Sequence, residues 1–222
     1  NVARKYNLPI IEDGAQSFGG KIRNQKACSF GDISTTSFFP AKPLGGYGDG
    51  GAIFTNDRNY KEKLESIRIH GKGSDKYNNV RIGINGRLDT IQAAILLKKL
   101  TILNQEIHNR QIVAEQYTYQ LGDNFIVPHI PKQYTSAWAQ YSILAHNSSH
   151  REKCMQKLKD NGIPSAIYYP IPLHLQKAYG NLGYSKGDLK ICERVSERIF
   201  SLPMHPYLTE SEINQICLLL NS

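Results

Sequence analysis

The chain has 222 residues, 40% hydrophobic and 21% charged, with 27 Lys and Arg against 19 Asp and Glu for a net charge of +8. That length is ample for a buried core in one large domain or two modest ones, and the ordinary composition excludes a disordered, collagen-like or fibrous chain. No apolar stretch approaches the ~18 residues that span a bilayer, since the run Ala93 to Leu97 stops at Lys98.

Val2 to Tyr6 reads as the end of a helix. Leu8 to Asp13 is a short apolar run ending on an acid, the pattern of a buried parallel strand whose carboxyl end faces a ligand crevice. Ile33 to Phe39, rich in Thr and Phe, is the second predicted strand, and Gly51 to Thr55 the third. Asn56-Asp57 then caps a helix over 60–69. Gly71 to Gly86 is polar and rich in Gly and Asn, which predicts a long loop. From Leu88 onward Ile91, Ala94, Ile95, Leu97 and Leu100 recur at helical spacing, and a second helix runs from Leu103 to Leu121. After Gly122-Asp123 the texture changes. It predicts a strand over 141–145, a helix over 150–161, a strand over 166–169, a Pro-rich turn, and helices over 189–200 and 210–219. The change places a domain boundary near residue 120, with 1–120 and 121–222 as the two domains. The opening Asn1-Val2-Ala3-Arg4-Lys5 has neither Met nor a signal-like run, and reads as if cut from inside something longer.

The four cysteines, Cys28, Cys154, Cys192 and Cys217, form no CxxC pair, so free thiols are expected rather than a disulfide scaffold. Asn147-Ser148-Ser149 matches a glycosylation sequon, and is taken as chance. The surplus positive charge points to nucleic acid or to small anionic ligands. Basic residues are spread rather than blocked and no nucleic-acid motif is present, which favours small anions. Gly46-Tyr47-Gly48-Asp49-Gly50-Gly51 contains a formal G-x-G-x-x-G, but it leads into a strand instead of a helix, so a dinucleotide fingerprint fails on context. A tight connection with close backbone approach fits better. His146, His150 and Cys154 fall at i, i+4, i+8, yet they straddle a strand end and a helix cap, and no metal site is expected.

The informative constellation is Asp13 and Gln16 at the end of the first strand with Ser37 and Lys42 around the end of the second. Lys42 lies between Pro40 and Pro43, so the backbone carrying its amine has few conformations. Its flanks Phe38-Phe39 and Leu44 are apolar, and partial desolvation there favours a neutral, nucleophilic amine able to form a Schiff base. Asp13 supplies the carboxylate that keeps a pyridinium nitrogen protonated as an electron sink. Ser37 can donate to a phosphate oxygen, and Gln16 can reach a ring hydroxyl.

Ile11-Glu12-Asp13-Gly14-Ala15-Gln16-Ser17, the run from Gly31 to Gly45 around Ser37-Phe38-Phe39-Pro40-Ala41-Lys42, and Gly48-Asp49-Gly50-Gly51 resemble the DegT/DnrJ/EryC1/StrS family of sugar aminotransferases. So do Asn85-Gly86-Arg87-Leu88-Asp89 before Gln92-Ala93-Ala94, and Tyr168-Tyr169-Pro170-Ile171-Pro172-Leu173-His174. The resemblance implies an α/β fold of the PLP-dependent transferase fold type I (aspartate aminotransferase-like). The chain would be the C-terminal part of the large domain plus the small α+β domain. It implies pyridoxal 5'-phosphate as cofactor and no metal. Lys42 would hold the cofactor and move the proton, Asp13 pair with the ring nitrogen, Gln16 contact the ring oxygen and Ser37 bind the phosphate. Asn85 would reach the phosphate of a neighbouring subunit, implying a homodimer with shared active sites. Arg87, Tyr168, Tyr169 and His174 would be substrate contacts. In the family, roughly the first third of the chain precedes the segment matching Asn1, so the resemblance implies a fragment with an incomplete pocket and one bare side of its sheet.

The wording of 73–90 with 39–43 is most similar to bacterial aminotransferases that act on UDP-linked 3-keto N-acetyl-hexuronic acids. These take the amino group from glutamate and serve surface polysaccharide synthesis in the cytoplasm, with neither nucleic acid nor membrane as partner. Two alternatives stay open: a 4-keto UDP- or dTDP-sugar as substrate, and a catalytically silent binding protein of the same fold.

Overall fold

The computed structural model describes residues 2–222; Asn1, where the first predicted domain begins, lies outside them. Helix α1 (Val2–Lys5) precedes β1 (Ile11–Asp13), the small hairpin β2 (Lys21–Ile22) and β3 (Gln25–Lys26), then β4 (Ile33–Ser37) and β5 (Gly51–Phe54). Helices α2 (Arg58–Arg68), α3 (Thr90–Leu100) and α4 (Leu103–Leu121) follow, then β6 (Tyr134–Thr135) and β7 (Tyr141–Leu144). The chain ends with α5 (Ser148–Asp160), two 3-10 turns (Leu173–Leu175 and Lys177–Leu182), α6 (Lys190–Ser196), β8 (Ile199–Leu202) and α7 (Glu210–Asn221). Side chains set the helix starts: Asp57 accepts from the backbone N–H of Asn59 and Tyr60, Asn147 from that of His150, and Thr209 with Glu212 closes a capping box.

Two compact units result: Asn1–Ile107 with Pro131–Ala139, and His108–Ile130 with Gln140–Ser222. The change of unit falls inside α4, and residues 131–139 return to the first unit through the pairing of β6 with β2. A boundary drawn near residue 120 follows texture, whereas the continuous helix α4 spans the change of unit.

In the first unit the principal sheet has order β1-β4-β5. β1 runs parallel to β4, with Asp13 opposite Thr35, and β5 is antiparallel to β4, with Gly51 opposite Ser37. Along β4 burial alternates: Ser34 and Thr36 are buried while Ile33, Thr35 and Ser37 are half-buried. Leu44, Leu96, Leu103, Ile107 and Ala137 form a core cluster against which Phe18, Phe38 and Leu88 pack. Ile11 and Ile53, which flank β4 on the outer strands, stay 73% and 53% exposed.

In the second unit β7 and β8 pair antiparallel, and α5 and α7 pack together. Its core includes Tyr117, Leu121, Tyr141, Ile143, Leu158, Phe200, Ile213 and Cys217. Two expectations are corrected here. The predicted strand over 166–169 is only a single bridge from Ala166 to Ser201, and the predicted helix over 189–200 stops at Ser196, giving way to β8. Ile199-Phe200-Ser201-Leu202 is a short apolar run that periodicity alone cannot assign; its pairing with β7 decides. All four cysteines are free thiols, and no described helix is long and apolar enough to cross a membrane.

Candidate active site

Parallel pairing of β1 and β4 puts their carboxyl ends at one edge of the sheet. Side chains in register on paired strands share a face, and alternate residues share it too. Asp13, Thr35 and Ser37 therefore lie on one face, while Glu12, Ser34 and Thr36 lie on the other. The hydrogen bonds agree: Ser34 Oγ donates to Glu12 Oε2 at 3.0 Å, and Thr36 Oγ1 donates to the Gly14 carbonyl at 3.2 Å.

Asp13 is exposed, and its Oδ1 accepts from the Ala15 N–H at 3.0 Å. That bond orients the carboxylate and leaves its second oxygen for a ligand. Ser37 Oγ accepts from the Phe39 N–H at 3.2 Å, so its own hydrogen remains to be donated. Gln16 is exposed in the turn after β1. No side-chain hydrogen bond to Asp13, Ser37 or Lys42 joins it to them.

Lys42 sits in the connection from β4 to β5. The Lys42 N–H donates to the Phe39 carbonyl at 2.9 Å, and the Gly46 N–H donates to the Phe38 carbonyl at 2.8 Å, closing a turn with Lys42 inside it. A Cβ on Gly45 would collide with the Pro40 carbonyl oxygen, so this close approach requires glycine. Leu44, two residues on, is 4% exposed within the core cluster, while Lys42 is half-buried. The G-x-G-x-x-G run indeed enters a strand, β5.

Asn85 and Arg87 are exposed and bonded to each other, Arg87 Nε donating to Asn85 Oδ1 at 3.0 Å. Leu88 follows, half-buried against the core cluster, with its Cδ1 only 2.8 Å from where a Cβ on Gly50 would stand. In the second unit Tyr168 and Tyr169 are exposed beside a cleft of about 480 Å³ that Ile171, Leu173, Cys192 and Val195 also line. His174, expected as a further substrate contact, stands in a different setting from the two tyrosines. It is buried, and its Nε2 lies 3.0 Å from Glu193 Oε1. Because an ionised carboxylate only accepts, Nε2 carries the hydrogen. Glu193 also accepts from the Gly187 N–H, and the His174 bond foremost, then Gly187, holds its carboxyl below the usual range.

Glu12 went unread in the sequence. Its carboxylate accepts from the N–H groups of Cys28 at 2.6 Å, Phe30 at 2.8 Å and Gly31 at 3.4 Å, besides Ser34. Burial pulls its pKa up, but these bonds outweigh burial and leave it lowered. An acid directly before Asp13 was the available signal. A separate cleft of about 870 Å³, lined by Ser34, Thr36, Phe54, Leu64 and Ile67, contains none of the predicted residues. His146 and His150 stack at 4.9 Å, and no described His, Cys, Asp or Glu side chains gather as three metal ligands.

A carboxylate, a hydroxyl with a hydrogen to give and a half-buried primary amine around one sheet edge fit the ring nitrogen, phosphate and aldehyde of pyridoxal phosphate. Comparison with known proteins bears on the family. The chain is 44% identical over 217 residues to the UDP-2-acetamido-2-deoxy-3-oxo-D-glucuronate aminotransferase of Pseudomonas aeruginosa, covering 97% of this chain and 58% of that protein. It is 38% identical over 216 residues to the UDP-N-acetyl-3-dehydro-alpha-D-glucosamine 3-aminotransferase of Acidithiobacillus ferrooxidans, covering 97% and 57%. A crystal structure of a DegT DnrJ EryC1 StrS aminotransferase from Brucella abortus superposes with a TM-score of 0.93 at 51% identity, covering 99% of this chain and 58% of that one. The chain thus spans less than two thirds of these relatives, and its mixed α/β architecture is fold type I. Residues 1–221 match the sequence profile of the DegT/DnrJ/EryC1/StrS aminotransferase family, and the chain belongs to that family.

Proposed function

We propose that this chain is the part of a nucleotide-sugar aminotransferase that carries the reacting lysine. The observation that supports it most is the placement of Asp13 and Ser37 on one face at adjoining strand ends, with Lys42 held in the turn that follows. Pyridoxal phosphate, when bound, supplies an electrophilic carbon and an electron-withdrawing ring through which an amino group is exchanged for a keto group. Asp13 would face the ring nitrogen and keep a proton on it. Ser37 would donate to the phosphate, and Gln16 would contact the ring oxygen. Lys42 Nζ would attach the cofactor and, once released, accept and return the proton on the reacting carbon. Arg87, Tyr168 and Tyr169 would contact the sugar nucleotide, while His174 would act through the segment that Glu193 ties down. Asn85 would serve a neighbouring subunit's phosphate, making the protein a homodimer.

The substrate read here is a UDP-linked 3-keto N-acetyl-hexuronic acid, with glutamate as donor, in cytoplasmic synthesis of surface polysaccharide such as O-antigen. A uronate on a nucleotide diphosphate suits the +8 balance. The test uses the full-length protein with glutamate and either the UDP-3-keto-hexuronate or a dTDP-4-keto sugar. Amination of the former at least about tenfold faster, a difference of ~1.4 kcal/mol in barrier, is expected. Preference for the latter would move the assignment to 4-keto sugars, and no conversion with any donor would favour the silent binding protein. In the same protein Lys42→Ala should abolish borohydride-trapped attachment of the cofactor. Attachment that survives would remove the role given to Lys42.

A further inference from the structure

Gln92 and Lys99 lie seven residues apart in α3, which places them on one face of the helix two turns from each other. Both reach the segment that follows Lys42. Gln92 Oε1 accepts from the Tyr47 N–H at 2.7 Å, and Lys99 Nζ donates to the Gly45 carbonyl at 2.6 Å. The Lys99 ammonium also stands 5.8 Å from the centre of the Tyr47 ring, within cation–π range. The fit is close: a Cβ on Gly46 would stand 2.9 Å from Gln92 Oε1, and one on Gly48 3.2 Å from Gln92 Nε2. The Gln92 carboxamide therefore sits directly against two of the glycines in the formal G-x-G-x-x-G run.

We propose that Gln92 and Lys99 are positioning residues for Lys42, pinning the backbone of Gly45 to Tyr47 and with it the turn that presents the reacting amine. The proposal rests on Lys42 being that amine. A lysine in the last turn of a helix ordinarily extends into water or toward its own helix's carbonyls. Lys98 is exposed in that way, whereas Lys99 is half-buried and gives a charge-assisted bond to a carbonyl 54 residues earlier in the chain. The turn is pinned independently at its start, where Gly46 N–H meets the Phe38 carbonyl, and by Leu44 in the core. Removing the α3 contacts should therefore loosen the turn without unfolding it. A displacement of the amine by about an ångström lowers the rate of a reacting pair by up to about a hundredfold while substrate affinity is hardly touched.

The experiment uses the full-length protein loaded with pyridoxal phosphate, and compares Lys99→Met, Gln92→Leu and Lys99→Arg with Lys42→Ala as control. Three quantities are read: kcat and KM with the amino donor, the rate of borohydride-trapped attachment to the Lys42 peptide by mass spectrometry, and Tm. The expected result is a kcat lowered about ten- to hundredfold in Lys99→Met and Gln92→Leu, with KM within about twofold and slowed attachment at Lys42. Lys99→Arg, which can still donate to the Gly45 carbonyl, should recover most of the loss. A kcat within about twofold of the parent in both variants overturns the proposal, as does an equal loss in Lys99→Met and Lys99→Arg. Should Lys99→Met not fold, Gln92→Leu decides by the same readouts. Covalent attachment persisting in Lys42→Ala would sink the underlying role of Lys42. Attachment lost there, with parent-like behaviour in the α3 variants, sinks only the positioning.

Discussion

Glu12 carries more of the local architecture than its neighbour Asp13, although only Asp13 has a part in the chemistry proposed above. Its two oxygens gather the turn over 28–31 and the start of β4 onto β1, so the strand that ends in Asp13 is fixed from behind. Replacing it by Gln would turn an amide NH₂ toward N–H groups that now meet an acceptor. Glu12→Gln should cost ~1–3 kcal/mol of stability in urea unfolding. The sign of its pH dependence follows from the lowered pKa: the stabilisation is full above the ordinary 4.5 and is lost as pH falls through the lower folded value. Wild type and variant should therefore converge in strong acid. Profiles that stay parallel there would show that the carboxylate's charge is not what the turn needs. These bonds were not legible in the sequence beyond the presence of an acid beside Asp13, because a glutamate in a strand reads as a solvent-facing residue unless its donors are known. The placement of Asp13, Ser37 and Lys42 at strand ends and in the following turn was legible, since strand ends and proline-flanked turns restrict the backbone locally.

Elements with their own punctuation were read closely. α4 was predicted over its observed span, and α5 and α2 start within two residues of their predicted positions because Asn147 and Asp57 cap them. β8 and the bridge at Ala166 were misread because both depend on partners distant in the chain. The start of α5 also carries a titratable contact. His150 Nδ1 accepts from the His146 N–H at 3.2 Å while its ring stacks on Phe125 at 5.2 Å. Burial lowers its pKa, and the charges of His146, Lys153 and Lys157 lower it further. The unfolded chain then binds the proton more readily than the folded one below 6.5. Stability must fall as pH drops through that value toward the lower folded one. Replacing the ring by an uncharged amide, His150→Gln, removes this proton uptake. The gap in urea midpoint between wild type and His150→Gln should narrow on acidification, and a constant gap from neutral pH to pH 5 would mean that His150 titrates alike in both states.

For the whole 222-residue chain, the two units bury their side chains to different depths. Of the largest fully buried side chains among the described residues, Tyr117, Tyr141, Phe200, Leu121, Ile143, Leu158, Ile213 and Cys217 belong to the second unit, and Ser34 alone to the first. The second unit also keeps the Cys217 thiol well out of water, burial pushing its pKa up to about 11. In the first unit Ile11, Ile53 and Leu8 on and beside the outer strands are more than half exposed, an arrangement that gives little return for ordering a sheet. Local opening free energy follows buried apolar contact, so the two units should not open together. Hydrogen exchange on this chain should find its slowest amides in β7, β8, α5 and α7, with β1 and β5 exchanging at least about tenfold faster, an opening difference of ~1.4 kcal/mol. β4 should be intermediate, because it is paired on both sides and its own Ser34 and Thr36 are buried. Uniform protection across both units would contradict this gradient. Adding pyridoxal phosphate to the same chain gives a second reading: if Asp13, Ser37 and Lys42 suffice to hold it, protection should rise in the turn around Lys42 and leave α5 and α7 unchanged.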